Sequence, residues 1–244
     1  MIVYYTGTGN SKYVADKISA VTGDDVRNVT DFTKGNAPFE LGDDESLIFV
    51  CPVYFWGIPA SVKEFVGNLK TEGRYFALVL QCGGSTGNAQ GIFEKYARPD
   101  AVFGLVAVDN YCPMFRVPSG EAVIKGLDAL DEKIEEAALK IKNREVGDFN
   151  VVKGALPKLN TAFMYPLYEP GRKTTFKVND KCISCGLCAN ICPVSAIKIE
   201  NGRPVWIKSK CDMCLGCLSR CPQNAISVKK SDKNGRYVNP RVKF

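Results

Sequence analysis

Eight of the eleven cysteines in this chain fall into one pattern written twice. Cys182, Cys185, Cys188 and Cys192, the last followed by Pro193, are repeated as Cys211, Cys214, Cys217 and Cys221, followed by Pro222. Both copies read C-x2-C-x2-C-x3-C-P. Two-residue gaps let three thiolates of one tight loop reach three iron corners of a cubane, and the fourth ligand must come from elsewhere. In this spacing the cysteine before proline ligates the other cluster. The expected ligand sets are therefore Cys182, Cys185, Cys188 and Cys221 for one 4Fe-4S centre, and Cys211, Cys214, Cys217 and Cys192 for a second. Such crossing would tie the two halves together and replace much of the core that roughly sixty residues cannot supply.

Zinc and disulfides compete for paired cysteines. A structural zinc site needs four ligands, whereas each run here offers four cysteines in a three-plus-one arrangement. Disulfides belong to oxidising compartments, and the opening Met-Ile-Val-Tyr-Tyr does not resemble a secretory signal. Pro193 and Pro222 also read as helix stops. Residues 176–230 resemble a bacterial-type ferredoxin with two 4Fe-4S clusters, matching at all eight cysteines and both prolines. The resemblance implies a module that carries single low-potential electrons.

A second chemical signal stands at the other end. Residues 2–5 are apolar or aromatic without alternation, as in a buried parallel strand. Thr6, Gly7, Thr8, Gly9, Asn10 and Ser11 follow, and a helix-spaced segment begins at Lys12. Strand, glycine loop and helix make an anion site: free amides at the helix start face the ligand, glycines allow close approach, and the hydroxyls of Thr6, Thr8 and Ser11 add donors. The loop is neither a G-x-G-x-x-G fingerprint nor a Walker loop. A plain helix cap at Asn10 or Ser11 is the competing reading. The loop resembles the flavodoxin phosphate loop, T/S-x-T-G-x-T/S, which holds the phosphate of FMN.

The segments that must position this loop repeat at strand-and-helix spacing. Strands are expected over 26–29, 46–52, 75–81 and 102–108, with helices over 60–69 and 121–144. The long helix carries Ile124, Leu127, Leu130, Ile134, Ala138 and Ile141 as its core stripe. In a doubly wound sheet of order 2-1-3-4-5, the loop after the third strand lies beside the phosphate loop, at the switch point. That loop is Pro52, Val53, Tyr54, Phe55, Trp56 and Gly57, whose aromatics suit a flat ring, although aromatics also serve as packing lids or partner surfaces. Trp56-Gly57 resembles the second flavin loop of flavodoxins, which implies a Gly57 carbonyl able to accept from flavin N5. Cys82, Gly83, Gly84 and Ser85 resemble the third flavin loop, and could otherwise form only a turn. Residues 1–147 thus resemble a short-chain flavodoxin with a five-stranded parallel sheet and an abbreviated second crossover. Cys51, Cys82 and Cys112 each fall near a strand end and read as buried, inert thiols.

Length and composition fit this division. A chain of 244 residues, 45% hydrophobic, suits one good core plus a satellite. The expected domains are an α/β flavodoxin-like unit over 1–147, an apolar docked arm over 148–175, and a small α+β ferredoxin unit with a basic tail over 176–244. No run of eighteen apolar residues predicts a membrane span, and the expected location is cytoplasmic. The net charge of +6 is uneven: from residue 176 onward 13 Lys and Arg stand against 4 Asp and Glu, which leaves the first 175 residues acidic. Two dianionic clusters would offset part of that surplus. What remains basic favours an acidic redox partner or an anionic substrate over nucleic acid. There is no histidine, so proton handling falls to other groups or to the cofactor. The whole chain is similar to flavodoxin-ferredoxin fusion proteins of anaerobes, which implies electron transfer between one-electron and two-electron carriers. The alternative is an FMN-dependent reductase of a small organic substrate, with Tyr54, Tyr111 or Cys112 as proton donor.

Overall fold

The computed structural model describes residues 1–35, 38–168, 175–207 and 211–244. The amino-terminal part alternates strand and helix: β1 (Ile2–Tyr4), α1 (Asn10–Thr22), β2 (Val26–Asn28), α2 (Val29–Thr33), β3 (Leu47–Pro52), α3 (Ala60–Val66), β4 (Phe76–Cys82), α4 (Ala89–Phe93), β5 (Ala101–Val106), α5 (Glu121–Lys142) and β6 (Gly147–Phe149). These strands form one parallel sheet of order β2-β1-β3-β4-β5-β6. The order reverses between β1 and β3, and a crevice opens there beyond the strand ends. β3 and β4 are buried along their whole length, which is why they read as unbroken apolar runs.

Two details differ from the sequence reading. The expected five strands gain a sixth, β6, paired in parallel with β5 through Ala101 and Gly147. Gly-Asp-Phe is too short and polar to announce a strand; Phe149 secures it by stacking on Phe103 at 5.1 Å. On α5 the buried stripe takes Val123 in place of Ile124, which is 44% exposed. Val123, Leu127, Leu130, Ile134 and Ile141 keep the helical phase that Ile124 leaves.

The remainder contains α6 (Pro157–Met164), a 3-10 turn (Tyr165–Leu167), β7 (Lys177–Val178), α7 (Leu187–Asn190), β8 (Ile197–Glu200), β9 (Arg203–Trp206), α8 (Gly216–Ser219), β10 (Ile226–Ser227) and α9 (Ser231–Asn234). β7 pairs antiparallel with β10, and β8 with β9. The short α7 and α8 each follow a cysteine loop. Part of the expected docked arm, 169–174, lies outside the described residues.

Alternating strand residues feed two cores. Val3, Tyr5, Phe49 and Leu78 face α3 and α4 on one side. Ile2, Val50, Val79 and Phe103 face α1 and α5 on the other, and this second core continues without a break through Ile197, Leu218 and Ile226 to Tyr237. The small cysteine-bearing unit is therefore packed onto the sheet domain. Buried Asp212 joins them by side chain, accepting hydrogen bonds from Tyr5 Oη at 2.9 Å and from Ser61 Oγ.

Candidate functional site

A cavity of about 420 Å³ lies at the crevice, with three loops of the sheet domain as its walls. The first wall is Thr6, Gly7, Thr8, Asn10 and Ser11. α1 begins there without a side-chain cap, and the N–H groups of Thr8, Asn10 and Ser11 find no backbone acceptor among the described residues. Thr6 Oγ1 accepts the Gly9 N–H at 3.0 Å, which leaves the hydroxyl proton free to donate. Ser11 Oγ is buried in this wall and has no partner. An unpartnered hydroxyl among open amides is what an anion needs, because an empty donor at such depth costs about 1–3 kcal/mol. The residues present fit a phosphate.

The second wall, Pro52, Val53, Tyr54, Phe55 and Trp56, is a tight hairpin. Tyr54 N–H donates to Gly57 O and Gly57 N–H to Tyr54 O, each at 2.9 Å. The turn places Phe55 at φ 50° and Trp56 at φ 61°. Left-handed backbone costs non-glycine residues about 1–2 kcal/mol each, so neighbours must hold it. Trp56 Nε1 donates to Ser85 Oγ at 2.7 Å, Thr161 Oγ1 of α6 donates to Trp56 O at 3.1 Å, and Tyr165 Oη donates to Ile58 O at 2.6 Å. Phe55 lies edge-on to Tyr111 at 5.2 Å and stacks with Tyr168 at 6.1 Å. Phe55 and Trp56 both stand where a flat ligand would lie.

Cys82, Gly83, Gly84 and Ser85 form the third wall; Val108, Asp109, Asn110 and Tyr111 close the far end, and Met114, Phe115, Met164 and Tyr168 stand at the rim. The last wall belongs to the other unit: Met213, Cys214 and Leu215. Gly7 makes this approach possible, since a methyl group there would lie 2.0 Å from Cys214 O.

Of the sixteen residues expected around this ligand, fourteen line the cavity and two do not. Gly9 faces Asn239, and Gly57 faces the Tyr165 ring, 2.1 Å from where its Cβ would stand. The Gly57 carbonyl expected to face the ligand already accepts the Tyr54 N–H. Asn10 lines the cavity, but its amide is held within the protein: Nδ2 donates to Val108 O at 3.0 Å, and Oδ1 accepts from Tyr237 and Asn239. Val108, Asp109 and Asn110 stand one strand end beyond the loops singled out, next to Tyr111, which was raised only as a proton donor; their position after β5 at the same sheet edge was the available signal. Nothing local pointed to Met213–Leu215 or to Met114 and Phe115 at the rim, whereas Met164 and Tyr168 belong to the apolar arm expected to dock and cover part of the flavin.

The cysteines gather around two further cavities. One is lined by Cys182, Cys185, Cys188 and Cys221, the other by Cys192, Cys211, Cys214 and Cys217. Among the described residues no three His, Cys, Asp or Glu are placed to hold a single metal ion. Trp206 Nε1 is buried without a partner in the wall of the second cavity, where sulfur acceptors would satisfy it. The residues present fit iron–sulfur clusters. Burial pushes the Cys211 thiol up to about 11 and raises Cys214 and Cys217 further. Of the other cysteines, Cys82 alone lines the ligand cavity; burial drives its thiol to about 12 and that of Cys112 to about 11, with Cys51 raised too.

Two family models match parts of this chain. Residues 1–96 match the family model of the flavodoxin domain, and residues 175–222 that of the 4Fe-4S dicluster domain. The chain joins a flavodoxin domain to a 4Fe-4S dicluster domain. It is 39% identical over 62 residues to the F(420)H(2) dehydrogenase subunit I of Methanosarcina mazei, a match over 25% of this chain. The match spans about a third of that relative's length. Among solved structures it is similar to the flavodoxin of Streptococcus pneumoniae TIGR4, at 17% identity and TM-score 0.31 over 56% of this chain and 97% of that one. A Trp repressor binding protein from Bacillus subtilis is similar at 12% identity and TM-score 0.37, over 57% and 96%. No helix among the described residues is long and apolar enough to cross a membrane.

Proposed function

We propose that this protein is a relay in which two 4Fe-4S clusters pass electrons to and from FMN, interconverting one-electron and two-electron transfer in the cytoplasm of an anaerobe. Cys182, Cys185, Cys188 and Cys221 hold the outer cluster, and Cys192, Cys211, Cys214 and Cys217 the inner one. The flavin-binding unit spans 1–147, a docked arm 148–175, and the ferredoxin unit 176–244. The observation that carries this reading is the double position of Cys214 and Leu215, which line both the inner cysteine cavity and the flavin-type cavity. The outer cavity shares no residue with the flavin-type one, and its Cys185 is exposed. A redox partner, acidic to suit the basic ferredoxin unit, meets the outer cluster.

FMN, when bound, accepts or gives one or two electrons. The protein's own part is to hold the phosphate at 6–11, to clamp the ring between the 52–56 hairpin and the 82–85 loop, and to exclude water with the rim. A relay is favoured over reduction of an organic substrate by the size of the cavity, near the lower end of the roughly 300–1,000 Å³ of small-molecule sites. The proton donors that reduction would need are also poorly matched. Burial raises Tyr54 well above the usual phenol and Tyr111 to about 12, far from the near-neutral pKa that general acids favour; Cys112 is buried outside the lining.

The test is a single-turnover experiment on anaerobically purified protein. A one-electron protein donor should bleach the cluster absorbance first, and flavin reduction should follow without added substrate. Flavin reduced while the clusters stay oxidised would sink the relay. Trp206→Phe should lower the inner-cluster potential at unchanged iron content, because hydrogen bonds to cluster sulfurs set that potential; potentiometry reads it directly.

A further inference from the structure

After α9 the chain returns across more than two hundred positions of sequence to the phosphate loop, and touches it from outside the cavity. Tyr237 Oη donates to Asn10 Oδ1 at 2.6 Å, and Asn239 Nδ2 donates to the same oxygen at 3.1 Å. Asn239 N–H donates to Thr8 O at 2.8 Å. Gly9, in the left-handed region at φ 104°, brings its Cα against Asn239. Tyr237 and Asn239 are both buried. Beyond them Arg241 anchors the tail to the sheet domain, donating to Asp131 at 3.0 Å, to Tyr13 Oη at 3.2 Å and to Asp128.

These contacts act on the parts of the loop that an anion feels. An anion site made of open N–H groups works only while the carbonyls between them point elsewhere, because a carbonyl dipole turned inward repels the phosphate. The Asn239 N–H holds the Thr8 carbonyl on the tail side. Asn10, fixed from three directions by Tyr237, Asn239 and Val108, starts α1 with its free amides aimed into the cavity. Its own side chain gives the ligand nothing, and the interest of that position lies in what it orients. No intrahelical cap does this work, since α1 has no side-chain cap.

We propose that Tyr237 and Asn239, at the far end of the chain, are positioning residues for the phosphate loop, and that they set the affinity for the phosphate end of the flavin. The proposal rests on the reading of this cavity as an FMN site. It places part of the flavin site in the segment that follows the ferredoxin cysteines, so that flavin retention depends on the seating of that unit.

Riboflavin, which has the ring of FMN and no phosphate, separates this role from general support of the fold. Both ligands are titrated by fluorescence quenching into the full-length, anaerobically purified protein after flavin removal, with cluster absorbance recorded in each sample. Asn239→Ala should weaken FMN by about tenfold, the loss expected for one disrupted buried hydrogen-bond network, and change riboflavin by less than about twofold. Tyr237→Phe, which removes one oxygen and keeps the ring packed, should act in the same direction more weakly, and guards against a variant that does not fold. FMN affinity unchanged in both variants, or FMN and riboflavin weakened equally, overturns the proposal. Failure of the unsubstituted protein to prefer FMN over riboflavin would instead remove the FMN reading, and the proposal with it.

Discussion

Gly7→Ala is expected to weaken FMN binding by roughly 10- to 100-fold, the effect of overpacking worth about 1–3 kcal/mol, while leaving the iron content unchanged. The new methyl would stand 2.0 Å from Cys214 O and 2.9 Å from its carbonyl carbon. Both sides of that contact are backbone, so no side chain can swing away to relieve it. The opposing surface is also tight, since a methyl on Gly216 would lie 3.1 Å from Gly7 O. Either the phosphate loop withdraws and its open amides lose their aim, or the inner cysteine loop lifts from the cavity wall. The first is expected, and appears as flavin lost on purification; flavin retained but reduced more slowly through the clusters in single turnover would show that the cysteine loop moved instead. By comparison Gly83→Ala meets Asp109 at its Cβ, 2.8 Å away, and at its Cα, 3.0 Å away; neither atom moves with a rotamer change, but the overlap is much smaller than at Gly7, so the effect should be smaller. Wild-type flavin affinity together with a wild-type transfer rate in Gly7→Ala would show that the two loops do not depend on this contact.

The parts of this architecture that were legible in the sequence are those whose physics is local. Ligand spacing in a cysteine loop is fixed within a dozen residues, so the two runs carried their chemistry openly. The phosphate loop is likewise one strand end, two glycines and one helix start, and β3 and β4 announced themselves as unbroken apolar runs. What stayed hidden depends on partners far away in the chain. Gly57 looked free to face a ligand because nothing nearby shows that Tyr165, more than a hundred positions on, covers it. Gly9 and the side chain of Asn10 read as ligand contacts because their partners at 237 and 239 follow the last cysteine. Met213 and Leu215 appeared only as the filling of a cysteine motif, yet they wall the flavin-type cavity. The basic tail gave no periodic signal, and its role rests on single polar contacts that no pattern encodes.

Replacing the two prolyl-flanked cysteines one at a time should produce opposite losses. Cys192→Ala removes the ligand that shares a cavity with Cys211, Cys214 and Cys217. Three thiols would remain there, one short of the four that a cluster needs. The inner cluster should therefore be lost outright, with about half of the iron and inorganic sulfide. Flavin reduction by a one-electron protein donor should fall at least about tenfold, as when a metal site's ligand shell is broken, while a small reductant that meets the flavin directly still works. Cys221→Ala should also lose about half of the iron, but from the outer cavity of Cys182, Cys185 and Cys188. There the connection between Cys214 and the flavin-type cavity stays intact, and only entry from the partner is lost. Paramagnetic resonance of the two reduced variants identifies which centre each retains. Should Cys192→Ala abolish the signal that Cys185→Ala abolishes, the ligands are not crossed, and each run holds its own cluster.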